Sequence, residues 1–370
     1  MIKKLGYLVF TAFFSLFRIC PVQKNKVFFV ATHDDSDEGN AGIVADAIRG
    51  KMPEKRIIFL SKHDGMRHPL SFFVGKAFHM ATAATIFMDN HFMPMAYTPI
   101  SKKAKVVQLW HGTGTIKKFG LDAENGEVAR LARKANRRIT HLIVNSERTR
   151  KQYQSAFGIP DEKIYMLGLP RTDRMLDKEW LEKKRRNFFS EYPELQAKRI
   201  ILYAPTFRDQ EVEKPYIALD LSRMAEELSE DEVFMLRLHP HVAANLSVTD
   251  WEAFQGKILN FSDYQGVTTL LAVADCLVTD YSSIIFEYCL REKPMCFYAY
   301  DLAHFKEEGR NFYEDYEKFV PGPVVRTQQE LMGFLRDNEM DVSQIQQFCI
   351  DNFAFRDKKS VKRLFQLIFD

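Results

Sequence analysis

The sequence predicts an α/β protein built as two halves, each an open sheet of parallel strands covered by helices. Short β-rich apolar runs alternate with longer helix-patterned stretches. This alternation occurs twice along the 370 residues, and a charged, helix-prone stretch separates the two series. With 46% hydrophobic and 27% charged residues the chain can bury two cores, which argues against a disordered or disulfide-stapled protein. Lys and Arg number 52 against 49 Asp and Glu, so a net charge of +3 gives no whole-chain case for nucleic-acid binding. Five cysteines without a Cys-x-x-Cys pair argue against a zinc site and fit a reducing compartment.

Residues 1–26 open with an almost wholly apolar run from Leu5 to Phe17. It is shorter than the roughly 20 residues that span a bilayer, and no small-x-small cleavage pattern follows Arg18. Lys3, Lys4, Arg18, Lys24 and Lys26 are cationic and no acid precedes Asp34. The segment is therefore expected to lie on an anionic membrane surface with Phe10, Phe13, Phe14 and Phe17 among lipid chains; a core helix of the first half is the alternative. Residues 27–170 form the first half, with strands Val27 to Ala31, Arg56 to Leu60, Ala84 to Met88, Val106 to Trp110 and His141 to Val144. Residues 171–198, carrying the block Lys183, Lys184, Arg185 and Arg186, read as a junction. Residues 199–330 form the second half, with strands Ile200 to Tyr203, Val233 to Leu238, Lys257 to Phe261, Asp275 to Val278 and Pro294 to Tyr298; residues 331–370 read as C-terminal helices.

Ligands of such sheets sit beyond the carboxyl ends of the strands, so residues just after each run are the site candidates. His111 follows the Val106 to Trp110 run and is suited to act as a general base near neutral pH, with Gly112 and Thr113 in a small-residue loop that lets an acceptor approach. His239, ahead of Pro240 and His241, is expected to meet phosphate rather than a metal. Asp280, Ser282 and Ser283 run into an apolar helix, where free N–H groups and hydroxyls favour an anion; plain capping is the alternative. Thr206 and Arg208 end the first strand of the second half, and the rigid fork of Arg208 suits phosphate oxygens. The acidic run Asp34 to Glu38 reads as loop. Arg130, Arg133, Lys134, Arg137 and Arg138 share one face of a helix, which calls for an anionic partner such as lipid headgroups or a lipid-linked pyrophosphate; a solvated face is the alternative.

Trp110 to Thr113, Tyr203 to Asp209, Arg237 to Pro240, Thr279 to Ser283 and Phe297 to Asp301, in that order, resemble the CDP-glycerol glycerophosphotransferases of teichoic acid synthesis. Gly168 to Asp173 and Pro321 to Val325 strengthen the resemblance. It implies a GT-B-like fold of two Rossmann-type domains with a central cleft, the first facing acceptor and membrane, the second binding the CDP-polyol. It further implies His111 as the base on an acceptor hydroxyl, His239 on the donor pyrophosphate, and Arg208, Thr206, Asp280, Ser282, Ser283 and Glu287 around the donor. Glu287 stands where the family pattern has Asp. The implied reaction moves glycerol phosphate from CDP-glycerol to an undecaprenyl-diphosphate-linked saccharide and releases CMP, and the short chain points to a primase. CDP-ribitol as donor, or short-polymer synthesis, are the neighbouring readings; a nucleotide-sugar glycosyltransferase and a non-catalytic nucleotide sensor lie further off. No cofactor, metal or nucleic-acid partner is expected, and the expected location is peripheral, at the cytoplasmic face of the plasma membrane.

Overall fold

The computed structural model describes residues 2–206, 208, 217–243, 251–308, 311–337 and 342–370. Among these the strands form two six-stranded sheets in which every neighbouring pair is parallel. The first comprises β1 (Gln23–Ala31), β2 (Arg56–Ser61), β3 (Ala83–Met88), β4 (Lys105–Gln108), β5 (His141–Val144) and β6 (Ile164–Met166), in the order β2-β1-β3-β4-β5-β6. The second comprises β7 (Arg199–Tyr203), β8 (Glu232–Leu236), β9 (Ile258–Asn260), β10 (Cys276–Thr279), β11 (Met295–Tyr298) and β12 (Val324–Val325), in the order β12-β11-β10-β7-β8-β9. Parallel strands are covered on both faces, which is why Val27 to Ala31 and Ile200 to Tyr203 read as unbroken apolar runs and are buried throughout. All ten expected strands are present. The edge strands β6 and β12, at three and two residues, were not expected from the sequence.

The chain divides into two compact units, Met1–Asp173 with Asn352–Asp370, and Arg174–Asp351. The division differs from the expected boundaries in two places. Half of the expected junction is the Lys178–Glu191 helix, which buries Leu181 and Phe188 and packs on the Val267–Val273 helix of the second unit. The expected C-terminal helices do not stay together: the Ser360–Phe369 helix belongs to the first unit. Its stripe of Leu364, Phe365 and Ile368 joins the core made by Val27, Phe29, Phe87, Val107 and Ile143. Asp173 holds the start of that helix, accepting from the Ser360 N–H at 3.0 Å and the Ser360 hydroxyl at 2.7 Å.

The Ile2–Phe17 helix corrects the membrane expectation for its aromatic residues. Phe10 and Phe14 are fully buried in the first unit. The Phe10 ring meets Phe72 and Phe92 at 5.3 and 5.4 Å, and Phe17 meets Phe78 at 5.3 Å. The opposite row remains apolar and open to solvent, with Leu5, Leu8 and Leu16 exposed by 63%, 45% and 59% and Ile19 beyond the helix by 84%. One sequence run thus serves both expected surfaces, because a helix turns successive residues to different sides. No described helix is long and apolar enough to cross a membrane.

Leu364→Ala removes a fully buried side chain from the returning helix and is expected to destabilise the protein by about 2–5 kcal/mol. A lowered urea midpoint of the first unit's unfolding checks it.

Candidate active site

The strand order of each sheet reverses once, between β1 and β3 in the first and between β7 and β10 in the second. Crevices at such points take ligands in open α/β sheets. In the first unit the crevice gathers Asp89 after β3, the Thr32 to Asp34 turn after β1, and Trp110 and His111 after β4. Asp89 is buried, and its carboxylate accepts the N–H groups of Thr32 at 2.9 Å, His33 at 3.2 and 3.3 Å, and Asp34 at 2.9 Å. Its carbonyl oxygen lies 3.0 Å from His111 Nδ1. A carbonyl only accepts, so Nδ1 carries the proton and Nε2 is the unprotonated nitrogen. Burial, then the charge of His33, drives the His111 pKa down to about 3, with Arg171 and His91 adding to the effect and the Asp89 bond opposing it. His111 is therefore a neutral imidazole at pH 7 with its basic nitrogen defined. Burial raises Asp89 to about 6 despite its backbone donors.

Side chains hold the carbonyls of the His111 loop one by one. Asn40 Nδ2 donates to Trp110 O at 3.0 Å, Arg171 Nη1 to His111 O at 2.8 Å, the Tyr153 hydroxyl to Gly112 O at 2.8 Å, and Asn145 Nδ2 to Thr113 O at 2.5 Å. Asn40 also accepts the Arg171 N–H at 3.0 Å. Trp110 sits at φ +58°, a left-handed backbone that costs a bulky residue about 1–3 kcal/mol and that these bonds sustain. Gly112 and Thr113, expected to face the acceptor, are buried instead. A Cβ on Gly112 would stand 3.1 Å from Gly114 O, so the small residues let the loop fold under His111. Asp34 ties its own turn, accepting the Ser36 hydroxyl at 2.6 Å.

In the second unit the crevice is organised by Arg208. Its Nε and Nη2 donate to the two Asp301 oxygens at 2.8 and 2.9 Å, and its Nη1 donates to Asp280 Oδ2 at 2.6 Å. The guanidinium also faces the Tyr281 and Tyr300 rings at 5.4 and 5.0 Å. Burial works against this cation, but the two carboxylates hold its pKa above the ordinary value. Asp280 Oδ1 accepts the N–H groups of Thr206 at 2.7 Å and Tyr281 at 2.6 Å, and Asp301 accepts the Tyr281 hydroxyl at 2.9 Å. Buried charges are stable when paired, and here Arg208, Asp280 and Asp301 pair with one another to join the loops after β7, β10 and β11.

Other expected donor residues lie around this frame. Thr206, Arg208, His239 and Tyr300 line one small cavity. The Thr206 hydroxyl is buried there without a hydrogen-bond partner among the described residues. Ser282 accepts the Ile284 N–H at 3.4 Å. Ser283 precedes the Ile284–Tyr288 helix without a side-chain capping bond, so capping does not account for it. Glu287 is buried on that helix. Phe207 and Asp209, and the side chain of His241, lie outside the described residues.

The basic stripe begins on the Gly126–Asn136 helix and outlasts it. Arg130, Arg133 and Lys134 are helical; Arg137 and Arg138 follow in a turn, bonded to Arg133 O at 3.3 Å and Ala135 O at 3.0 Å. All five are exposed. Lys4 and Glu127, 3.2 Å apart, link this helix to the Ile2–Phe17 helix.

Sequence reasoning missed His33, Asp89, Asn40, Asn145 and Tyr153. Asp89 and His33 were within reach of the rule that found His111, since each lies within two residues of a strand's carboxyl end.

The sequence pattern of the family described as CDP-glycerol:poly(glycerophosphate) glycerophosphotransferase matches residues 12–370. A teichoic acid poly(ribitol-phosphate) polymerase of Bacillus spizizenii is 33% identical over 100% of this chain, which spans 60% of that protein's length. A teichoic acid ribitol-phosphate primase of the same organism is 32% identical over 97% of this chain and 94% of its own. A structure of the wall teichoic acid polymerase TagF soaked with CDPG superposes with a TM-score of 0.84 at 22% identity, covering 97% of this chain and 93% of that one. The chain belongs to the glycerophosphotransferase family of teichoic acid biosynthesis, and its fold is GT-B-like.

Asp301→Ala leaves the buried Arg208 cation half compensated and is expected to cost about 3–5 kcal/mol of stability. Burial pushes the Asp301 carboxyl up, but its bond to Arg208 outweighs this and holds the folded-state pKa below the ordinary value. The stability it supplies is thus present above the unfolded pKa near ~3.9 and is lost as pH falls through the lower folded value. Urea unfolding across acid pH is expected to show that loss in the parent and a smaller one in Asp301→Ala.

Proposed function

We propose that the chain transfers a polyol phosphate from a CDP-polyol to a lipid-linked saccharide in wall teichoic acid synthesis and releases CMP. The observation that carries the reading is His111, a half-buried neutral imidazole whose Nδ1 is held by Asp89 so that Nε2 is available as a base. Nε2 takes the proton of an acceptor hydroxyl as its oxygen attacks the phosphorus bearing the polyol. The new P–O bond forms while the bond to the CMP phosphate breaks, and CMP carries away the electron pair. On the donor side His239, Thr206, Ser282 and Ser283 supply hydrogen-bond donors, with Arg208, Asp280 and Asp301 setting the loops that carry them. Glu287 stays a donor-site candidate through its helix.

The donor expected from the sequence is CDP-glycerol, from which a primase adds one or a few glycerol-phosphate units. The similarity to ribitol-phosphate enzymes along nearly the whole chain favours CDP-ribitol as a second reading. The acceptor expected is an undecaprenyl-diphosphate-linked saccharide. For location, the exposed row Leu5, Leu8, Leu16 and Ile19 and the exposed Arg130, Arg133, Lys134, Arg137 and Arg138 support peripheral binding to an anionic membrane, at its cytoplasmic face where activated nucleotides reside.

Purified protein incubated with CDP-glycerol or CDP-ribitol and a lipid-linked disaccharide acceptor is expected to release CMP, and the product mass identifies the donor and the number of units added. His111→Ala is expected to lower turnover about 10²–10⁴-fold while CDP-polyol binding is retained; unchanged turnover would remove His111 from the chemistry. Each cation near an anionic surface contributes about 1 kcal/mol, so replacing Arg130, Arg133 and Lys134 by Gln is expected to weaken co-sedimentation with anionic vesicles on the order of a hundredfold.

A further inference from the structure

We propose that His33 is a positioning residue for His111: the two imidazoles form a face-to-face pair that holds at most one proton, with the Trp110 ring closing the other face of His111. This inference rests on the reading of His111 as the base and goes beyond it in naming what governs its proton.

The His33 and His111 ring centroids lie 3.7 Å apart with planes inclined by 14°. Trp110 meets His111 at 4.2 Å and 30°. Two rings stacked this closely on a third do not fit on the same side of it, so His111 is clamped between them. Asp89 governs both members of the pair. Its carboxylate fixes the backbone that bears His33, and its carbonyl fixes the tautomer of His111. The spacing is therefore anchored from one buried residue rather than from two independent loops.

Two cations at this separation repel by far more than the thermal energy, so protonation of one ring opposes protonation of the other. The groups facing the pair lean the same way. Burial lowers His33, as do Arg171 and Lys62, with Asp34 opposing. Around His111, Arg171 and His91 lower it and the Asp89 bond raises it. Both rings are consequently neutral before the reaction. When Nε2 of His111 accepts the hydroxyl proton, the imidazolium finds the polarisable face of a neutral ring on each side and the Asp89 carbonyl at Nδ1–H. A permanently charged neighbour at position 33 would forbid that state, and a small one would leave the imidazole free to turn.

The test uses the full chain with labelled histidine, following the His111 ring by NMR against pH and assigning it by its absence in His111→Asn. In His33→Phe, which keeps a ring but no titration, His111 is expected to protonate in a single step about one pH unit above its midpoint in the parent. In the CMP-release assay, His33→Ala is expected to lower kcat about tenfold at unchanged donor KM, with His33→Phe recovering part of the loss. Identical His111 titrations in the parent and His33→Phe would overturn the proposal, as would an unchanged kcat in His33→Ala. If the parent itself releases no CMP from either CDP-polyol, the proposed function fails, while the titration still decides whether the rings are coupled.

Discussion

Parallel pairing is the constraint on which the rest of this structure depends. Each strand must be followed by a crossover that returns the chain to the same end of the sheet, so the helices cover both faces and every strand leaves its carboxyl end on one edge. Apolar side chains are consumed by the two faces. Polar groups with chemistry are left at the carboxyl edge, and the reversal of strand order opens a crevice there in each unit. His33, Asp89 and His111 stand at one such edge, and Thr206, Arg208, His239, Asp280 and Asp301 at the other.

The two crevices handle burial in opposite ways. In the first unit the two stacked imidazoles are kept neutral, His33 and His111 both being lowered by burial, while Asp89, raised to about 6, remains a carboxylate held by backbone N–H groups. In the second unit burial is met by pairing, with Arg208 held between Asp280 and Asp301 and packed against aromatic rings. A neutral imidazole has a free nitrogen that can accept a proton, whereas a closed ion cluster has rigidity to lend. That contrast supports assigning proton transfer to the first unit and the shaping of a donor site to the second.

The Ile2–Phe17 helix makes two surfaces from one apolar run. Its inner row, Phe10 and Phe14, is part of the first unit's packing, so the helix is anchored whether or not anything covers its outer row. The Lys4 to Glu127 link ties it to the helix carrying Arg130, Arg133 and Lys134, so apolar and basic groups belong to one body. A rigid surface loses less entropy on meeting a membrane than a free tail does.

Ten strands, the two-sheet architecture and the placing of His111, Thr206 and the paired serines at strand ends were legible in the sequence, because apolar period and strand polarity are local properties. What local pattern does not carry is which strand lies beside which. That alone brings His33 of the β1 loop onto His111 of the β4 loop, and makes Arg208 a partner of both Asp280 and Asp301. It likewise buries Phe10, Phe14, Gly112 and Thr113, and sends the Ser360–Phe369 helix back to the first unit. The sequence by itself determined the elements and the edge where chemistry collects. The tertiary structure decided the pairings there, since desolvation and charge compensation depend on neighbours distant in the chain.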